Sequence, residues 1–291
     1  MKILLTGATG FLGSALLKKL LGKGHEVIIL KRSFSDLRRI TNEIDLIKSY
    51  DVDKVSAENI FLENKKIDII IHTATCYGRN NETAPQIFQS NTYFPLRLID
   101  AASKNGVKTF INTGTMLPLA KTGQMHDYVL SKRQFIEWGR HYSQTVKFIN
   151  MKLDYIYGPF DDKTKLLPAL IESCVKNIAD FNLTKGEQKR DFIYINDVVD
   201  AYMSVIDSNT GNFEEFEIGL GHSLSLKEAA LKIKELTGST IRLNFGALPY
   251  RKDELMEAKT EISKLLSLGW KAKYDFENGI KNLLKAEYKR M

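Results

Sequence analysis

Short, almost unbroken runs of apolar residues alternate with longer amphipathic stretches over the first half of the chain. These runs are rich in β-branched side chains, which is typical of strands that are covered on both faces. The predicted strands are Lys2–Leu5, Glu26–Leu30, Ile67–His72, Lys108–Asn112 and Lys147–Leu153. Because strands and helices alternate along the chain, we expect an α/β fold with a doubly wound parallel sheet.

The stretches between these strands carry apolar residues at helical spacing. Leu12, Leu16 and Leu20 recur every four residues, and glycines at 22 and 24 follow as helix stop signals. Two further stripes have similar spacing, namely Phe94, Leu98 and Ala101, and Phe135, Trp138 and Tyr142. Each stripe predicts a helix that packs one face on the sheet.

After Gly158-Pro159 the alternation loosens into a smaller mixed α/β region. Ser225 and Glu228 in this region have the spacing of a capping box at the start of a helix. No internal repeat, low-complexity tract or linker rich in glycine, proline or serine separates the two regions. The predicted domain boundaries are 1–157 and 187–208 for the larger domain, and 158–186 and 209–291 for the smaller one.

Composition and charge narrow the class of protein. The chain is 43% hydrophobic and 26% charged. It contains no run of eighteen or more apolar residues, so we expect no membrane span. The apolar start, Met1–Leu5, is interrupted at once by a glycine-containing turn, so we expect a cytoplasmic protein without a signal peptide. Two isolated cysteines, Cys76 and Cys174, form neither a disulfide framework nor a metal-ligand spacing, and we expect no metal.

The net charge of +7 is the second compositional feature. The lysines are scattered along the chain rather than concentrated in one tract, so we expect no nucleic acid as a partner. A site for a small polyphosphate molecule needs such an excess of positive charge, although a solvated basic surface has the same composition.

The segment 6–13, TGATGFLG, joins the first predicted strand to the first predicted helix. Gly7 permits a tight turn, Gly10 lets the backbone approach a pyrophosphate, and Gly13 lets the helix pack closely on the strand. A turn that needs glycine only for its backbone angles is the alternative. Strand, turn and helix coincide here, which favours a Rossmann-type dinucleotide site with the phosphates at the helix N-terminus.

The end of the second predicted strand indicates which dinucleotide is bound. An NAD site usually has an acidic residue there for the ribose hydroxyl. In this chain Lys31, Arg32 and Ser33 follow the strand, and these side chains can bind a 2′-phosphate that a carboxylate would repel. The sequence therefore favours NADP(H), with exposed loop charges as the alternative.

Tyr128 and Lys132 lie four residues apart at the start of a predicted helix and share one of its faces. An ammonium near a phenol lowers the pKa of the phenol and prepares it to exchange a proton with a substrate oxygen. The pair alone occurs in many helices by chance. Together with the glycine turn it predicts an oxidoreductase.

Further motifs follow in an order that resembles the extended short-chain dehydrogenase/reductase family, especially its nucleotide-sugar branch. The resemblance covers nearly the whole chain. Its motifs, beyond those above, are DVD at 51–53, HTAT at 72–75, YIYGP at 155–159, GEQKRDF at 186–192, LGW at 268–270 and ENGI at 277–280.

The resemblance implies a role for each matching residue. Thr115 occupies the place of the catalytic serine or threonine, so that Thr115, Tyr128 and Lys132 are the implied catalytic residues. The residues implied to bind the cofactor are Gly7, Thr9, Gly10, Phe11, Leu12, Gly13, Lys31, Arg32, Ser33, Asp51, Val52, Thr73, Ala74, Asn91, Lys132 and Tyr155. Those implied to bind substrate are Cys76, Thr115, Arg190 and Arg251.

Structural alternatives stay open for several of these residues. The Thr115 hydroxyl is also suited to capping a local turn, and Asn91 to packing within its helix. Arg190 and Arg251 are equally suited to internal salt bridges.

The loop after Thr115 departs from two family patterns. Leu117-Pro118 stands where the family often has Tyr-Gly, and Met116-Leu117 stands where 4,6-dehydratases carry Asp-Glu. A dehydratase needs those carboxyl groups for water elimination, so dehydration is disfavoured.

The loop 112–118 and the segment YVLSK at 128–132 resemble the abequose-synthase-like branch, which reduces CDP- or dTDP-linked 4-keto sugars. The resemblance therefore implies an NADPH-dependent 4-keto reductase of a nucleotide-diphosphate-linked 4-keto-6-deoxyhexose. An NAD(P)-dependent nucleotide-sugar 4-epimerase is the first alternative, and a non-catalytic NADP-sensing or RNA-associated protein is the second. The family also implies a homodimer built from the helices near 94–104 and 128–142.

Overall fold

The computed structural model describes residues 1–118, 124–252 and 254–290, with only the backbone at position 124. The chain divides into two compact units. The first contains Met1–Lys152 and Asp207–Phe216, and the second contains Leu153–Ile206 and Glu217–Met291. The division differs from the predicted boundaries in three ranges. Residues 153–157 and 187–206 belong to the second unit, where a strand at 192–194 pairs with 155–157, and residues 209–216 belong to the first.

The strands of the described residues are β1 (Lys2–Thr6), β2 (Glu26–Lys31), β3 (Lys48–Asp51), β4 (Ile69–His72), β5 (Thr109–Thr115), β6 (Lys147–Leu153), β7 (Tyr155–Tyr157), β8 (Asp180–Leu183), β9 (Lys189–Arg190), β10 (Phe192–Tyr194), β11 (Phe213–Ile218), β12 (Leu224–Ser225) and β13 (Arg242–Phe245).

The α-helices of the described residues are α1 (Phe11–Gly22), α2 (Ala57–Glu63), α3 (Ala84–Phe88), α4 (Phe94–Lys104), α5 (Gln124–Tyr142), α6 (Leu166–Lys176), α7 (Ile195–Ile206), α8 (Leu226–Thr237), α9 (Ser263–Ser267) and α10 (Phe276–Tyr288). A short 3₁₀ helix covers Ile44–Leu46, and a π-helical turn, Gln89–Tyr93, joins α3 to α4. None of these helices is both long and apolar enough to cross a bilayer.

The first unit is built on a seven-stranded sheet with the order β11-β6-β5-β4-β1-β2-β3. Strand β1 pairs in parallel with both β2 and β4, so the chain winds outward in two directions from β1. In doubly wound sheets, ligands bind beyond the carboxyl ends of the strands at this reversal point. The predicted Rossmann-type α/β fold is confirmed, and the carboxyl ends of β1 and β4 are where its site is expected.

Helix α5 is fixed to the sheet by aromatic packing. The rings of Phe110 on β5 and Phe148 on β6 are stacked at 5.9 Å, and the Phe135 ring of α5 meets both edge-on. A Cβ atom built on Gly139 would lie 2.2 Å from the Phe148 ring, so only glycine lets α5 approach β6 this closely. This packing sets the position of the first turns of α5, which carry the predicted tyrosine and lysine.

The second unit is a smaller mixed α/β body, as the sequence predicts. It contains the parallel pairs β7–β10 and β8–β13 and the antiparallel pair β9–β12. Ser225 and Glu228 form the predicted capping box at the start of α8. The Trp270 indole donates to the carbonyl oxygen of Asp197 on α7, and the Asp197 carboxylate accepts from the backbone N–H groups of Lys273 and Tyr274. These bonds attach the C-terminal segment of the chain to α7.

Candidate active site

Two positions of the turn between β1 and α1, Gly7 and Gly13, leave no room for a larger side chain. Gly7 has a φ of +71°, and a Cβ atom built on it would lie 2.6 Å from the backbone nitrogen of Ala74. A Cβ atom on Gly13 would lie 2.1 Å from the Gly7 carbonyl oxygen. The turn is therefore held tightly between the end of β4 and the first turn of α1.

The N-terminus of α1 provides a cradle for an anion. Gly10 is its N-cap in extended conformation, no side chain caps it, and the first turn holds no acidic residue. A Cβ atom on Gly10 would meet only the Gly7 carbonyl oxygen, at 3.2 Å, so this side of the turn is open to an approaching phosphate. Thr9 and Phe11 are half-buried beside it, whereas Leu12 is buried in the core. With N–H groups and a helix dipole at this point, these residues fit the pyrophosphate of a dinucleotide.

The side chains of Thr6, His72 and Thr73 join the ends of β1 and β4. The Thr73 hydroxyl donates to the Thr6 carbonyl oxygen, and the backbone N–H of Ala74 donates to the Thr6 hydroxyl oxygen. The His72 Nδ1 lies 2.8 Å from the same hydroxyl. Burial holds the pKa of His72 well below its ordinary value, so the ring is neutral. Thr73 and Ala74 thus border the glycine turn, as predicted.

Lys31, Arg32 and Ser33 at the end of β2 have different partners. The Lys31 ammonium donates to Asp51, and this hydrogen bond lowers the pKa of the Asp51 carboxyl. Ser33 donates from its backbone N–H and its hydroxyl to Asp53. Arg32 is exposed, and its guanidinium lies 4.7 Å from the centre of the Phe34 ring. Lys31 and Ser33 are thus each bonded to a carboxylate, and the binding of a 2′-phosphate by the three residues stays a prediction.

The three predicted catalytic residues also lie together in the first unit. Thr115 ends β5, and its hydroxyl oxygen accepts from the Leu117 backbone N–H at 3.2 Å, which is the local turn cap that its sequence position leaves open. Its side chain is also near enough to the Tyr128 phenol to lower the pKa of that phenol. Lys132 lies one helical turn after Tyr128, and its ammonium donates to the Thr75 hydroxyl at 2.8 Å and to the Thr113 carbonyl oxygen at 3.0 Å. Tyr128 and Lys132 are only 4% and 1% exposed.

Burial dominates the electrostatics of this trio. It raises the pKa of Tyr128 far above its ordinary value, and the neighbouring Tyr77 adds to this effect, while Thr115 and Arg79 oppose it. Burial also lowers the pKa of Lys132 to about 7. The sequence argument expects the Lys132 ammonium to lower the pKa of Tyr128. In this geometry Lys132 is not among the groups that do so, because its ammonium is directed to β5 and Thr75.

Asn91 connects three parts of the site. It lies buried in the π-helical turn, and its side-chain amide both accepts from the Cys76 backbone N–H and donates to the Cys76 carbonyl oxygen, each at 2.8 Å. The amide also donates to the Ser131 hydroxyl on α5. Insertion of a π turn into a helix often marks a functional site. Through its two hydrogen bonds with the backbone of Cys76, a predicted residue, Asn91 fixes the loop that follows β4.

Two residues of that loop, Tyr77 and Arg79, escape the sequence argument. The Tyr77 ring centre lies 5.0 Å from that of Tyr128, and the Arg79 guanidinium lies 4.9 Å from the Tyr77 ring centre. No motif spacing distinguishes them. The signal that could have identified them is an aromatic and a basic residue directly after the HTAT segment.

Val52 follows β3 in the first unit and is half-buried, whereas the predicted residues Tyr155, Arg190 and Arg251 lie in the second unit. Arg190 is 4% exposed and donates to Glu254 and to the Leu255 carbonyl oxygen, and its guanidinium lies 5.4 Å from the Tyr155 ring centre. Arg251 is exposed. The structure thus places Arg190 in an internal ion pair with Glu254, the alternative that its sequence position leaves open.

A half-buried carboxyl, Asp154, lies in the same unit and is absent from the predicted set. One of its oxygens is buried without a hydrogen-bond partner, and burial raises its pKa to about 6 despite the opposing charge of Arg190.

Comparisons with known protein families, sequences and structures show the family to which the chain belongs. Residues 3–219 match the NAD dependent epimerase/dehydratase family. The chain is 37% identical over 97% of both lengths to a CDP-abequose synthase of Salmonella muenchen, and 31% identical over 97% of both lengths to one of Salmonella typhimurium. The solved structure of a Thermotoga maritima UDP-glucose 4-epimerase with UDP-glucose superposes with a TM-score of 0.85 over 98% of each chain at 22% identity. The chain therefore belongs to the NAD dependent epimerase/dehydratase family of extended short-chain dehydrogenases/reductases, as its motifs predict.

Proposed function

We propose that the protein reduces the 4-keto group of a nucleotide-diphosphate-linked 4-keto-6-deoxyhexose with NADPH. Two findings support the substrate class: near full-length similarity to CDP-abequose synthases, and 25% identity over 96% of the chain to a GDP-L-colitose synthase of Yersinia pseudotuberculosis. The observation that carries the proposal is the position of the Tyr128 phenol, which is 4% exposed, near Thr115 and one helical turn before Lys132. This phenol is a proton donor at neutral pH, and reduction of a carbonyl needs such a donor.

The choice of NADPH over NADH rests on Arg32. Its guanidinium is exposed at the end of β2, where a 2′-phosphate is expected, and Phe34 supports it from one side. Lys31 contributes less to this preference because Asp51 compensates its charge. The glycine turn would hold the pyrophosphate, and Asp51-Val52 would contact the adenine.

Each chain residue has a distinct task in the proposed reduction. The bound dinucleotide supplies the hydride. The Tyr128 phenol donates its proton to the carbonyl oxygen, and the Thr115 hydroxyl holds that oxygen beside the phenol. Lys132 is fixed by Thr75 and Thr113, and we propose that its ammonium orients the nicotinamide ribose. The near absence of exposure at Tyr128 and Lys132 excludes water and strengthens these interactions.

Substrate recognition is proposed to involve Cys76, Thr115 and the arginines of the second unit. Arg251 is exposed and suited to bind a diphosphate directly. Arg190 is already paired with Glu254, so we propose that it orients the neighbouring segment unless substrate displaces that pair.

We also propose a homodimer formed through α4 and α5. Two apolar side chains of α5 support it, because Leu130 and Trp138 are 36% and 42% exposed. Light scattering of the purified protein tests this proposal, and a monomer at micromolar concentration would exclude it.

A nucleotide-sugar 4-epimerase is the second candidate. The chain is 25% identical over 97% of both lengths to a putative UDP-glucose 4-epimerase of Methanocaldococcus jannaschii. An epimerase retains its cofactor through oxidation and re-reduction of the sugar, whereas the exposed Arg32 at the end of β2 favours NADPH, the cofactor of a net reduction. The intact Thr115, Tyr128 and Lys132 trio also disfavours a purely cofactor-sensing or RNA-associated protein.

The deciding experiment follows NADPH absorbance with CDP-, dTDP- and GDP-linked 4-keto-6-deoxyhexoses. A reductase consumes one NADPH for each sugar reduced. An epimerase interconverts a non-keto nucleotide sugar with no net consumption of cofactor, and that result would replace the proposal.

A further inference from the structure

The loop between β4 and α3 places an aromatic ring on the proposed proton donor. The ring of Tyr77 lies against Tyr128 with the ring centres 5.0 Å apart and the planes inclined by 33°. Tyr77 is 40% exposed, whereas Tyr128 is 4% exposed. Tyr77 is thus the more exposed ring of the pair.

Both ends of this loop are fixed by polar contacts. At its start, the Asn91 amide binds the Cys76 backbone N–H and carbonyl oxygen. At its end, Thr83 and Gln86 form a capping box at the start of α3. Since Asn91 also binds Ser131, which precedes Lys132, the loop and the catalytic helix are tied to one buried amide. The position of Tyr77 is thus built into the fold of the first unit.

Arg79 packs on Tyr77. Its guanidinium lies 4.9 Å from the Tyr77 ring centre, within the range of a cation–π interaction. Gly78, between them, has a φ of +74°, which reverses the chain so that the arginine returns over the tyrosine. Tyr128, Tyr77 and Arg79 form a three-layer stack that no task assigned above requires.

We propose that Tyr77 and Arg79 are positioning residues for the proton donor: the Tyr77 ring holds the Tyr128 phenol in place for the substrate oxygen, and Arg79 holds the Tyr77 ring. The inference rests on the proposed reductase function for its kinetic consequences. It also predicts a change in the surroundings of Tyr128 that does not depend on turnover.

The groups around Tyr128 set the pH dependence that this inference predicts. Four groups from three elements face the phenol or lie next to it: Tyr77, Arg79, Thr115 and Lys132. Tyr77 raises the pKa of Tyr128, whereas Arg79 and Thr115 lower it. A reductase uses the protonated phenol, and burial holds the pKa of Tyr128 far above its ordinary value, so the phenol stays protonated up to pH 10. Tyr77→Ala and Arg79→Gln should therefore lower kcat by misplacing the phenol, without changing the shape of the kcat profile below pH 10.

The kinetic test compares Tyr77→Ala and Arg79→Gln with the wild-type enzyme in NADPH-dependent reduction between pH 6 and 10. We expect Tyr77→Ala to lower kcat by about 10- to 100-fold, since small misplacements of a reacting group have costs of this order. The affinity for NADPH should be unchanged, and the loss of kcat should be the same across this pH range. Tyr77→Phe and Arg79→Lys should restore kcat, because they keep the ring and the positive charge. Arg242→Gln, which removes an exposed partner of Asp180 in the second unit, is the control for loss of one surface arginine.

A second measurement separates this inference from the proposed function. In protein with isotope-labelled tyrosine, the Tyr128 resonance is identified by its loss in Tyr128→Phe, and Tyr77→Ala should shift it by removing the ring current of Tyr77. If the wild-type enzyme reduces none of the keto sugars but the resonance shifts, the proposed function fails and the stack stands. If Tyr77→Ala turns over normally, the positioning role is overturned and the reductase proposal stands.

Discussion

Replacement of Arg32 by alanine should change which dinucleotide the protein prefers. Arg32 follows β2, and its guanidinium is exposed above the Phe34 ring, while the neighbouring Lys31 is held by Asp51. The 2′-phosphate is the only group that distinguishes NADPH from NADH. Arg32→Ala should therefore weaken the binding of NADPH and leave that of NADH almost unchanged.

The magnitude follows from the kind of contact that is lost. A hydrogen bond to a charged group contributes about 1.5–3 kcal/mol, and each 1.4 kcal/mol corresponds to about tenfold in affinity. We expect Arg32→Ala to raise the Kd of NADPH by about 10- to 100-fold and the Kd of NADH by less than about threefold. Because Arg32 is exposed, the difference should shrink as salt is added.

The assay is calorimetric titration of both dinucleotides at two ionic strengths. Arg38→Ala is the matched control, because it removes a second exposed arginine of the same loop, which pairs with Asp36 at 3.2 Å. It should change neither Kd appreciably. Equal losses for NADPH and NADH in Arg32→Ala, or no loss of NADPH affinity, would refute the assignment of the 2′-phosphate to this residue.

Two further predictions concern stability. Gly13→Ala should lower the free energy of unfolding by about 1–3 kcal/mol and weaken NADPH binding, because its Cβ atom would lie 2.1 Å from the Gly7 carbonyl oxygen. Gly22→Ala in the same helix is the control, because a Cβ atom there has nothing within 4 Å, and it should change the free energy of unfolding by no more than about 1 kcal/mol. Denaturant titration compares the two, and equal stabilities would contradict the packing argument. Burial lowers the pKa of Lys132 to about 7, so the unfolded chain binds more protons than the folded one between that pH and the ordinary lysine pKa of 10.5. The free energy of unfolding should therefore rise by up to about 1.4 kcal/mol per pH unit in this window. Lys132→Met should remove that rise. If the free energies of unfolding of the two proteins change in parallel with pH, the contribution of Lys132 is excluded.

Periodicity predicts the sheet of the first unit well, because its central strands are buried on both faces and read as apolar runs. The five predicted strands all occur, and β6 has the predicted bounds. Strand β3, of sequence KSYD, was not predicted. It lies at the edge of the sheet, where only Tyr50 is buried, so its sequence carries no apolar run. The short strands β8 and β9 of the second unit lack a run for the same reason.

The predicted apolar stripe of α5 is only partly buried. Phe135 is fully buried, but Trp138 is 42% exposed, because the close approach of Gly139 to Phe148 turns that position away from the core. Spacing alone shows which residues share a face of a helix. It does not show which side of that face meets the sheet.

The candidate site was predictable where chemistry follows a local motif. The glycine turn and the Tyr128–Lys132 pair are of this kind, since each is fixed by a strand–helix junction or by one helical turn. Tyr77, Arg79 and the contact of Asn91 with Cys76 depend on the path of a loop, and the internal pairing of Arg190 depends on a glutamate more than sixty residues away. Such long-range partners leave no pattern in a single sequence.

The most direct test of the account is single-turnover oxidation of bound NADPH by a CDP-linked 4-keto-6-deoxyhexose, compared between the wild-type protein and Tyr128→Phe. We predict that the wild-type protein oxidises NADPH only in the presence of the keto sugar. Tyr128→Phe should bind NADPH with similar affinity and react about 100- to 10,000-fold more slowly, which is the range for loss of a general acid. Equal rates in the two proteins would contradict the role of Tyr128 as the proton donor.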